Sequence, residues 1–268
     1  MKKPSEEARR RYTEYIQDHK NAIEAALERE RTAKGAFAGD GSGVAKHKLE
    51  LTEENLGVVA RYLLMNSLSQ TLLGVKNEAY LNEARKCCYK AIIWLEEVVS
   101  GLVDAPFSEY ESAHEQIAGY ADQSRYDLAR KIGYAIDAIE EGFGDNSKWK
   151  WSFVELEGRY ATVVKNLINL KTLTVGMDPR AEGYSARLAH FNLAKELLQQ
   201  AADRYREKYE LSTQRVDDIK LAIAYLGALR RLHVVQGESE HADVVRKKVE
   251  IWKNKMEDDL RKKDQERK

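Results

Sequence analysis

Apolar and small residues recur at helical spacing along the chain, and one form of this pattern occurs four times. Each copy is an alanine followed by helix-compatible positions four and seven residues later, which share one face of an α-helix. The four alanines are Ala84, Ala129, Ala194 and Ala242. Alternation with a period of two is absent over any useful length, and only three prolines interrupt the chain. Since proline costs about 3 kcal/mol inside a helix, the chain is predicted to be all-α.

Nine helices are predicted from this periodicity and from capping signals. Their ranges are 5–34, 52–74, 78–102, 108–122, 124–141, 148–175, 184–211, 213–236 and 239–262. Thr52 and Ser147 are predicted N-caps, and Ser108-x-x-Glu111 is a predicted capping box. The break after the third helix contains Pro106.

The last eight predicted helices form four consecutive pairs, and the alanine pattern falls on the second helix of every pair. Such a helix packs against its partner and the next pair, and small residues let the axes approach closely. We therefore predict stacked antiparallel helical hairpins, an α-solenoid. Residues 1–44 are predicted to form an N-terminal capping helix and glycine-rich loop, 45–262 a helical-repeat domain, and 263–268 a frayed polar tail.

Several of these residues resemble the tetratricopeptide repeat, in particular the segment Glu83-Ala84-Arg85-Lys86-Cys87-Cys88-Tyr89-Lys90-Ala91-Ile92 and the segment Tyr126-Asp127-Leu128-Ala129. Leu226-Gly227 and Gly237 resemble its first-helix pair and its inter-helix glycine. The resemblance covers residues 56–255, but the family repeats every 34 residues whereas the alanines here lie 45, 65 and 48 residues apart. It implies a concave groove that binds a peptide or protein.

Charge and cysteine content narrow the classes of function. The chain has 44 basic and 44 acidic residues, whereas a nucleic-acid-binding protein is expected to show a basic excess. No apolar run has membrane-spanning length and no signal peptide is visible, so we expect a cytoplasmic protein. The adjacent Cys87 and Cys88 point in different directions on a helix and cannot form an ordinary disulfide, which favours a reducing compartment.

Three patterns suggest cofactor or metal chemistry, and each has a simpler interpretation. Glu111-x-x-His114 and Glu238-x-x-His241 resemble the ligand motif of ferritin-like metal bundles, but Glu111 already serves the predicted capping box and Glu238 follows a turn glycine. The two cysteines could bind a soft metal. Residues 35–43 contain several glycines, but they lack the Walker spacing and are interpreted as a linker. We expect no catalytic residue, metal or cofactor.

The better candidates are polar residues inside otherwise apolar first helices. They are Arg61, Asn66, Asn166, Asn169, Arg230 and Arg231. In tetratricopeptide-like grooves such residues hold a partner's backbone or carboxylate, and arginine suits bidentate carboxylate recognition. The alternative is ordinary exposed helix surface. Trp149 is a further candidate, because an exposed tryptophan at a helix start is typical of interfaces.

The expected function is a non-catalytic adaptor or scaffold that binds a peptide or protein partner in a groove. An alternative is a structural subunit of a larger assembly that associates, with itself or with other chains, through its terminal helices. A second alternative is a metal-binding helical bundle. No nucleic-acid partner is expected.

Overall fold

The structure, a computed structural model, describes residues 4–36, 43–144 and 149–266. Over these ranges it contains ten α-helices and no strand, so the predicted all-α class is confirmed. The helices are α1 (Glu6–Ala36), α2 (Val44–Leu73), α3 (Glu78–Val99), α4 (Glu111–Gln116), α5 (Asp122–Phe143), α6 (Lys150–Asn166), α7 (Leu170–Gly176), α8 (Tyr184–Lys208), α9 (Val216–Gln236) and α10 (Ser239–Glu266). None of the helices in the described ranges is long and apolar enough to cross a bilayer.

The start predicted for the second helix is wrong. Helix α2 begins at Val44, and Thr52 is buried within it rather than capping it. The Thr52 hydroxyl donates to the carbonyl oxygen of Lys48 at 2.8 Å. A threonine inside a helix can satisfy its hydroxyl in this way, so a good capping residue does not by itself mark a helix start.

Two long predicted helices are divided in the structure. A 3₁₀ turn, Phe107–Glu109, precedes the short α4, which begins at Glu111, so Ser108 is not its cap. The second division separates α6 from α7, where the Asn169 side chain accepts hydrogen bonds from the backbone N–H groups of Lys171 and Thr172 at 3.0 and 3.4 Å. This is ordinary N-cap geometry and starts a new helix. Ser147 and most of the predicted linker, residues 37–42, lie outside the described residues.

The chain divides into two compact units. Unit 1 comprises Met1–Ser100, Glu115–Gly119 and Asp127–Lys150. Within it α2 packs against both α1 and α3. Helix α2 ends at Gly74 in the left-handed conformation with φ of 67°, which glycine adopts without steric cost. Asn77 then caps α3, whose Ala84, Cys88 and Ala91 are fully buried.

Unit 2 comprises Gly101–His114, Tyr120–Tyr126 and Trp151–Lys268. Here α9 packs against both α8 and α10. Helix α8 continues into a short π-helical turn, Tyr209–Thr213, before α9 begins. The alanines of the repeated pattern, Ala194 and Ala242, are buried in this unit. The solenoid arrangement and the predicted domain boundaries remain predictions.

Candidate functional site

Unit 2 contains an apolar groove of about 420 Å³, which we call the Lys165 groove. Three stretches of chain form it: the segment 105–110, the α6–α7 region and the last turns of α9. Its lining residues are Ala105, Pro106, Phe107, Tyr110, Lys165, Leu170, Ala228, Arg230, Arg231, Leu232, Val234 and Val235. This volume lies within the range of about 300–1,000 Å³ that is typical of ligand sites.

The first wall is held by an aromatic pair. Pro106 has extended backbone with ψ of 153°, and the 3₁₀ turn follows it at once. The rings of Phe107 and Tyr110 then meet edge to face, with centroids 5.3 Å apart. Tyr110 is buried although it lines the groove. Edge-to-face packing is a favoured aromatic geometry, so this short segment presents a rigid apolar surface.

The second wall is one face of α9. Ala228, Arg231, Leu232 and Val235 follow one another at the i, i+3, i+4 and i+7 spacing of a helix face. Ala228 and Leu232 are buried, whereas Val235 is 38% exposed and the neighbouring Val234 is 57% exposed. The groove therefore opens to solvent along apolar side chains.

Lys165 is the unusual member of the lining, because it is a lysine with only 3% of its surface exposed. Its ammonium lies 5.1 Å from the centroid of the Tyr110 ring, which is a cation–π contact. Among the described residues it has no hydrogen-bond or ion-pair partner. Burial lowers the pKa of Lys165 to about 8; the charge of Arg231 acts in the same direction and the charge of Asp104 opposes it.

The charges around Lys165 are mainly positive. Arg230 is exposed and has no partner among the described residues. Arg231 donates from Nε to the Asp104 carboxylate at 2.6 Å, so that carboxylate already has a partner. Lys165, Arg230 and Arg231 line the groove, and no acidic residue is among the described residues that line it. The groove is therefore suited to an apolar ligand that carries negative charge.

A buried polar network lies at the base of the segment that forms the first wall. Arg125 donates from Nη1 to the carbonyl oxygen of Leu167 and to Nδ1 of His114, each at 3.0 Å. His114 must then be neutral, with Nε2 donating to the carbonyl oxygen of Asn166 at 2.9 Å. Burial, reinforced by the charge of Arg125, lowers the pKa of His114 to about 4. These groups satisfy one another, and they fix the chain on both sides of the groove.

Of the predicted partner-binding residues in unit 2, two lie at the groove and two have structural roles. Arg230 and Arg231 line it. Asn166 is fully buried and donates to the carbonyl oxygen of Leu102 at 3.1 Å. Asn169 caps α7. Both asparagines hold backbone in place, and their role in partner binding remains a prediction.

The remaining predicted residues belong to unit 1. Asn66 is buried, and its Oδ1 accepts from the backbone N–H of Asn77 at 2.8 Å, which ties the turn between α2 and α3. Arg61 is half-buried and donates to Nδ1 of His19 at 3.5 Å. The guanidinium of Arg85 lies 4.7 Å from the centroid of the half-buried Trp149 ring. Local contacts account for all three predicted residues.

The residues of the two Glu-x-x-His motifs have other partners. Glu111 accepts from Lys171 Nζ at 2.6 Å, while His114 belongs to the Arg125 network. Glu238 contacts His233 and Lys195. Among the residues that the structure describes, no group of three potential ligands could hold a metal ion.

The two cysteines are buried in α3, and burial raises the pKa of the Cys87 thiol to about 11 and that of Cys88 to about 12. They are therefore thiols rather than reactive thiolates near neutral pH.

Sequence reasoning missed Lys165, Tyr110 and Val234. A signal for Lys165 was present, because it interrupts the run Val163-Val164-Lys165-Asn166-Leu167-Ile168. A charged residue inside such a run is expected to be buried or to end a helix. Tyr110 and Val234 carry no comparable local signal, since aromatic and aliphatic residues occur throughout the chain.

The fold is all-α, and unit 2 contains an apolar groove that is also lined by cationic side chains. The chain belongs to the TP0443 family, whose model matches residues 8–260. The match is not to a tetratricopeptide family, so that resemblance remains a prediction. No curated protein and no solved structure matches the chain.

Proposed function

We propose that this protein is a non-catalytic binding module that holds a peptide segment of a partner protein in the Lys165 groove. The observation that carries the proposal is an open apolar groove with a buried, unpaired lysine on its surface. Burying apolar ligand surface supplies about 25 cal/mol per Å², and a few fixed polar groups set orientation. The tetratricopeptide-like architecture and the cytoplasmic location belong to the same proposal.

The arrangement favours binding over catalysis. The buried histidines near the groove donate to backbone carbonyls, and their pKa values of about 4 keep them neutral near pH 7. Among the described contacts of the groove, neither histidine contacts a serine or cysteine that it could activate as a base. A general base needs a pKa close to the working pH and access to the substrate. What supports a binding role is therefore the match between apolar walls and a small number of cationic groups.

A second candidate is self-association through α10. Val244 and Ile251 lie seven residues apart on this helix, and they are 65% and 64% exposed. Residues one heptad apart lie on the same face of a helix. We propose that this stripe packs against a second copy of the chain if the protein is a structural subunit.

Two variants separate these candidates, and each is the control for the other. Val234→Asp places a charge in the Lys165 groove, whereas Val244→Asp places one on the outer stripe of α10; both side chains are more than half exposed. On an array of random peptides we expect the first variant to lose the peptides that wild type binds and the second to keep them. Light scattering measures the oligomeric state of all three proteins.

The outcomes are distinct. If no peptide binds wild type, or if Val234→Asp binds the same peptides with unchanged affinity, the groove proposal is wrong. If wild type is a dimer that Val244→Asp converts to a monomer, the α10 candidate is supported. A wild-type monomer at high concentration removes that candidate.

A further inference from the structure

Lys165 lacks the counter-charge that a buried lysine requires. Lysine is almost never fully buried unless it is paired, and removing an ammonium from water without a partner costs several kcal/mol. Here the side chain is 3% exposed and, among the described residues, contacts only the face of Tyr110 with its charge. A ligand group that accepts hydrogen bonds and carries negative charge would supply such a partner.

In the part of the chain that the structure describes, no residue lining the groove supplies that group. Asp104 influences Lys165 electrostatically, but its Oδ1 accepts from Arg231 at 2.6 Å. Arg231 and Arg230 add positive charge on the same surface. A carboxylate brought by the ligand would therefore meet three cations and one carboxylate, Asp104, that is already paired.

The residues that line the groove indicate which other groups of the ligand would fit. Apolar side chains surround the lysine from the segment 105–110, from Leu170 and from the end of α9. The exposed Val234 and Val235 extend this apolar surface to the rim. Residues on either side of a bound carboxylate would thus pack against apolar groups of the groove.

We propose that the partner segment carries an aspartate or glutamate flanked by apolar residues, and that this carboxylate pairs with Lys165. The inference rests on the proposed peptide-binding function and names the chemistry that the groove selects. Arg230 attracts the same carboxylate from the rim and assists its approach, as exposed charges commonly do.

The probe is an array of random peptides, each synthesised with a free and with an amidated C-terminus. For the tightest binders, the acidic residue is replaced by its amide, glutamate by glutamine or aspartate by asparagine. Every peptide is titrated against wild type and against Lys165→Met, which removes the charge and keeps an apolar chain of similar length. Circular dichroism and thermal unfolding establish that the variant is folded.

We expect the binders to contain an acidic residue with apolar neighbours, and amidation of the C-terminus to leave their affinity unchanged. Replacing the acid by its amide is expected to weaken binding to wild type by about 30-fold or more, as for other buried charge pairs. On Lys165→Met the same replacement is expected to have little effect, because a double-mutant cycle isolates the pair. Arg230→Gln, which keeps Lys165, is expected to weaken binding by only a few fold and to reduce its salt dependence.

Four results would overturn the inference. If peptides bind wild type and the acid-to-amide change is neutral, or if it matters equally on Lys165→Met, the carboxylate does not pair with Lys165 although the groove still binds peptides. If amidation of the C-terminus alone abolishes binding, the chain end is recognised instead of an acidic side chain. If no peptide binds wild type, the proposed function fails together with this inference.

Discussion

The two units bury different kinds of residue. The buried polar side chains described for unit 1 are Glu30, Thr52, Asn55, Asn66 and Ser69, of which only Glu30 is ionisable. Glu30 is paired with Lys90 at 2.7 Å. The buried polar side chains described for unit 2 include five ionisable groups, namely His114, Arg125, Lys165, His190 and Asp218. The desolvation of buried ionisable groups therefore costs more free energy in unit 2 than in unit 1.

For four of the five buried ionisable groups in unit 2, hydrogen bonds or ion pairs with nearby groups offset the cost of desolvation. His114 and Arg125 bond to each other, His190 donates to the carbonyl oxygen of Val164 at 3.0 Å, and Asp218 pairs with Lys208 at 3.1 Å. Among the residues that the structure describes, the Lys165 ammonium has only the Tyr110 ring as a partner. A buried network that is satisfied serves the fold, whereas a single group left out of it is a candidate for function. The comparison thus isolates Lys165.

The largest expected effect is at Arg125. Arg125→Ala leaves the carbonyl oxygens of Tyr120 and Leu167 and the Nδ1 atom of His114 without their donor. Because uncompensated burial of polar groups is costly, we expect unit 2 to lose about 3–5 kcal/mol. Hydrogen exchange of α8 and α9, compared with α2 and α3, reports the loss unit by unit.

The matched change in unit 1 is Arg29→Ala. The Nε atom of Arg29 donates to Glu54 at 2.6 Å, but its side chain is 60% exposed. Exposed ion pairs contribute little, so we expect a change within about 1 kcal/mol. Equal losses for the two variants would break the distinction between a buried network in unit 2 and a solvated surface in unit 1.

The next largest expected effect is a loss of stability of unit 2 at acidic pH. The pKa values of His114 and His190 are lowered to about 4 by burial, below the unfolded value of about 6.5. Between these values the unfolded chain binds more protons than the folded one, so stability is present above pH ~6.5 and is lost as the pH falls towards ~4. The loss is on the order of 3 kcal/mol per histidine.

His190→Gln tests this pH dependence. A glutamine amide can still donate to the Val164 carbonyl but does not titrate, so the variant should lose less stability over the same pH interval. Denaturant unfolding at several pH values measures the slope, and hydrogen exchange assigns it to α8 and α9. An unchanged slope in the variant would mean that His190 is not one of the titrating groups.

Alanine substitutions at two glycines inside helices are expected to change stability less, and in opposite directions. An added Cβ at Gly158, in unit 2, would lie 2.6 Å from the Tyr225 hydroxyl and 2.7 Å from the Tyr205 ring, whereas a Cβ at Gly57, in unit 1, meets nothing within 4 Å. We expect Gly158→Ala to destabilise by about 1–3 kcal/mol through overpacking. Gly57→Ala should stabilise by about 0.5–1 kcal/mol through lower unfolded-state entropy. Thermal unfolding of both variants checks the two signs.

Much of the fold could be predicted because its signals are local. Periodicity and glycine caps place α3, α9 and α10 within a few residues at most ends, and α5 within two residues at each end. The missed features depend on tertiary contacts. Thr52 resembles a cap until its neighbours are known to bury it, and Glu111 resembles a capping partner until Lys171 approaches it.

The site was predicted only in part for the same reason. Arg230 and Arg231 were found because polar residues on an apolar helix are visible in sequence. Asn166 was selected by the same rule, and in the structure it is buried and donates to the carbonyl oxygen of Leu102. Lys165 is unusual because it is buried without an ion-pair partner among the described residues. Which segments of unit 2 pack around it is a tertiary property that the sequence does not show.

The central claim is that Lys165 is kept at a cost in stability because it binds a partner. The most direct measurement is the free energy of unfolding of Lys165→Met and of wild type at pH ~7 and ~10.5. The folded pKa of about 8 lies below the usual lysine value, so wild-type stability rises as the pH passes from ~8 to ~10.5. We predict that the variant is more stable by about 1–2 kcal/mol at the lower pH. By the higher pH wild type should gain about 3 kcal/mol relative to the variant, so the order of stability reverses. A variant less stable than wild type at pH ~7 would show that Lys165 supports the fold, and would contradict the account.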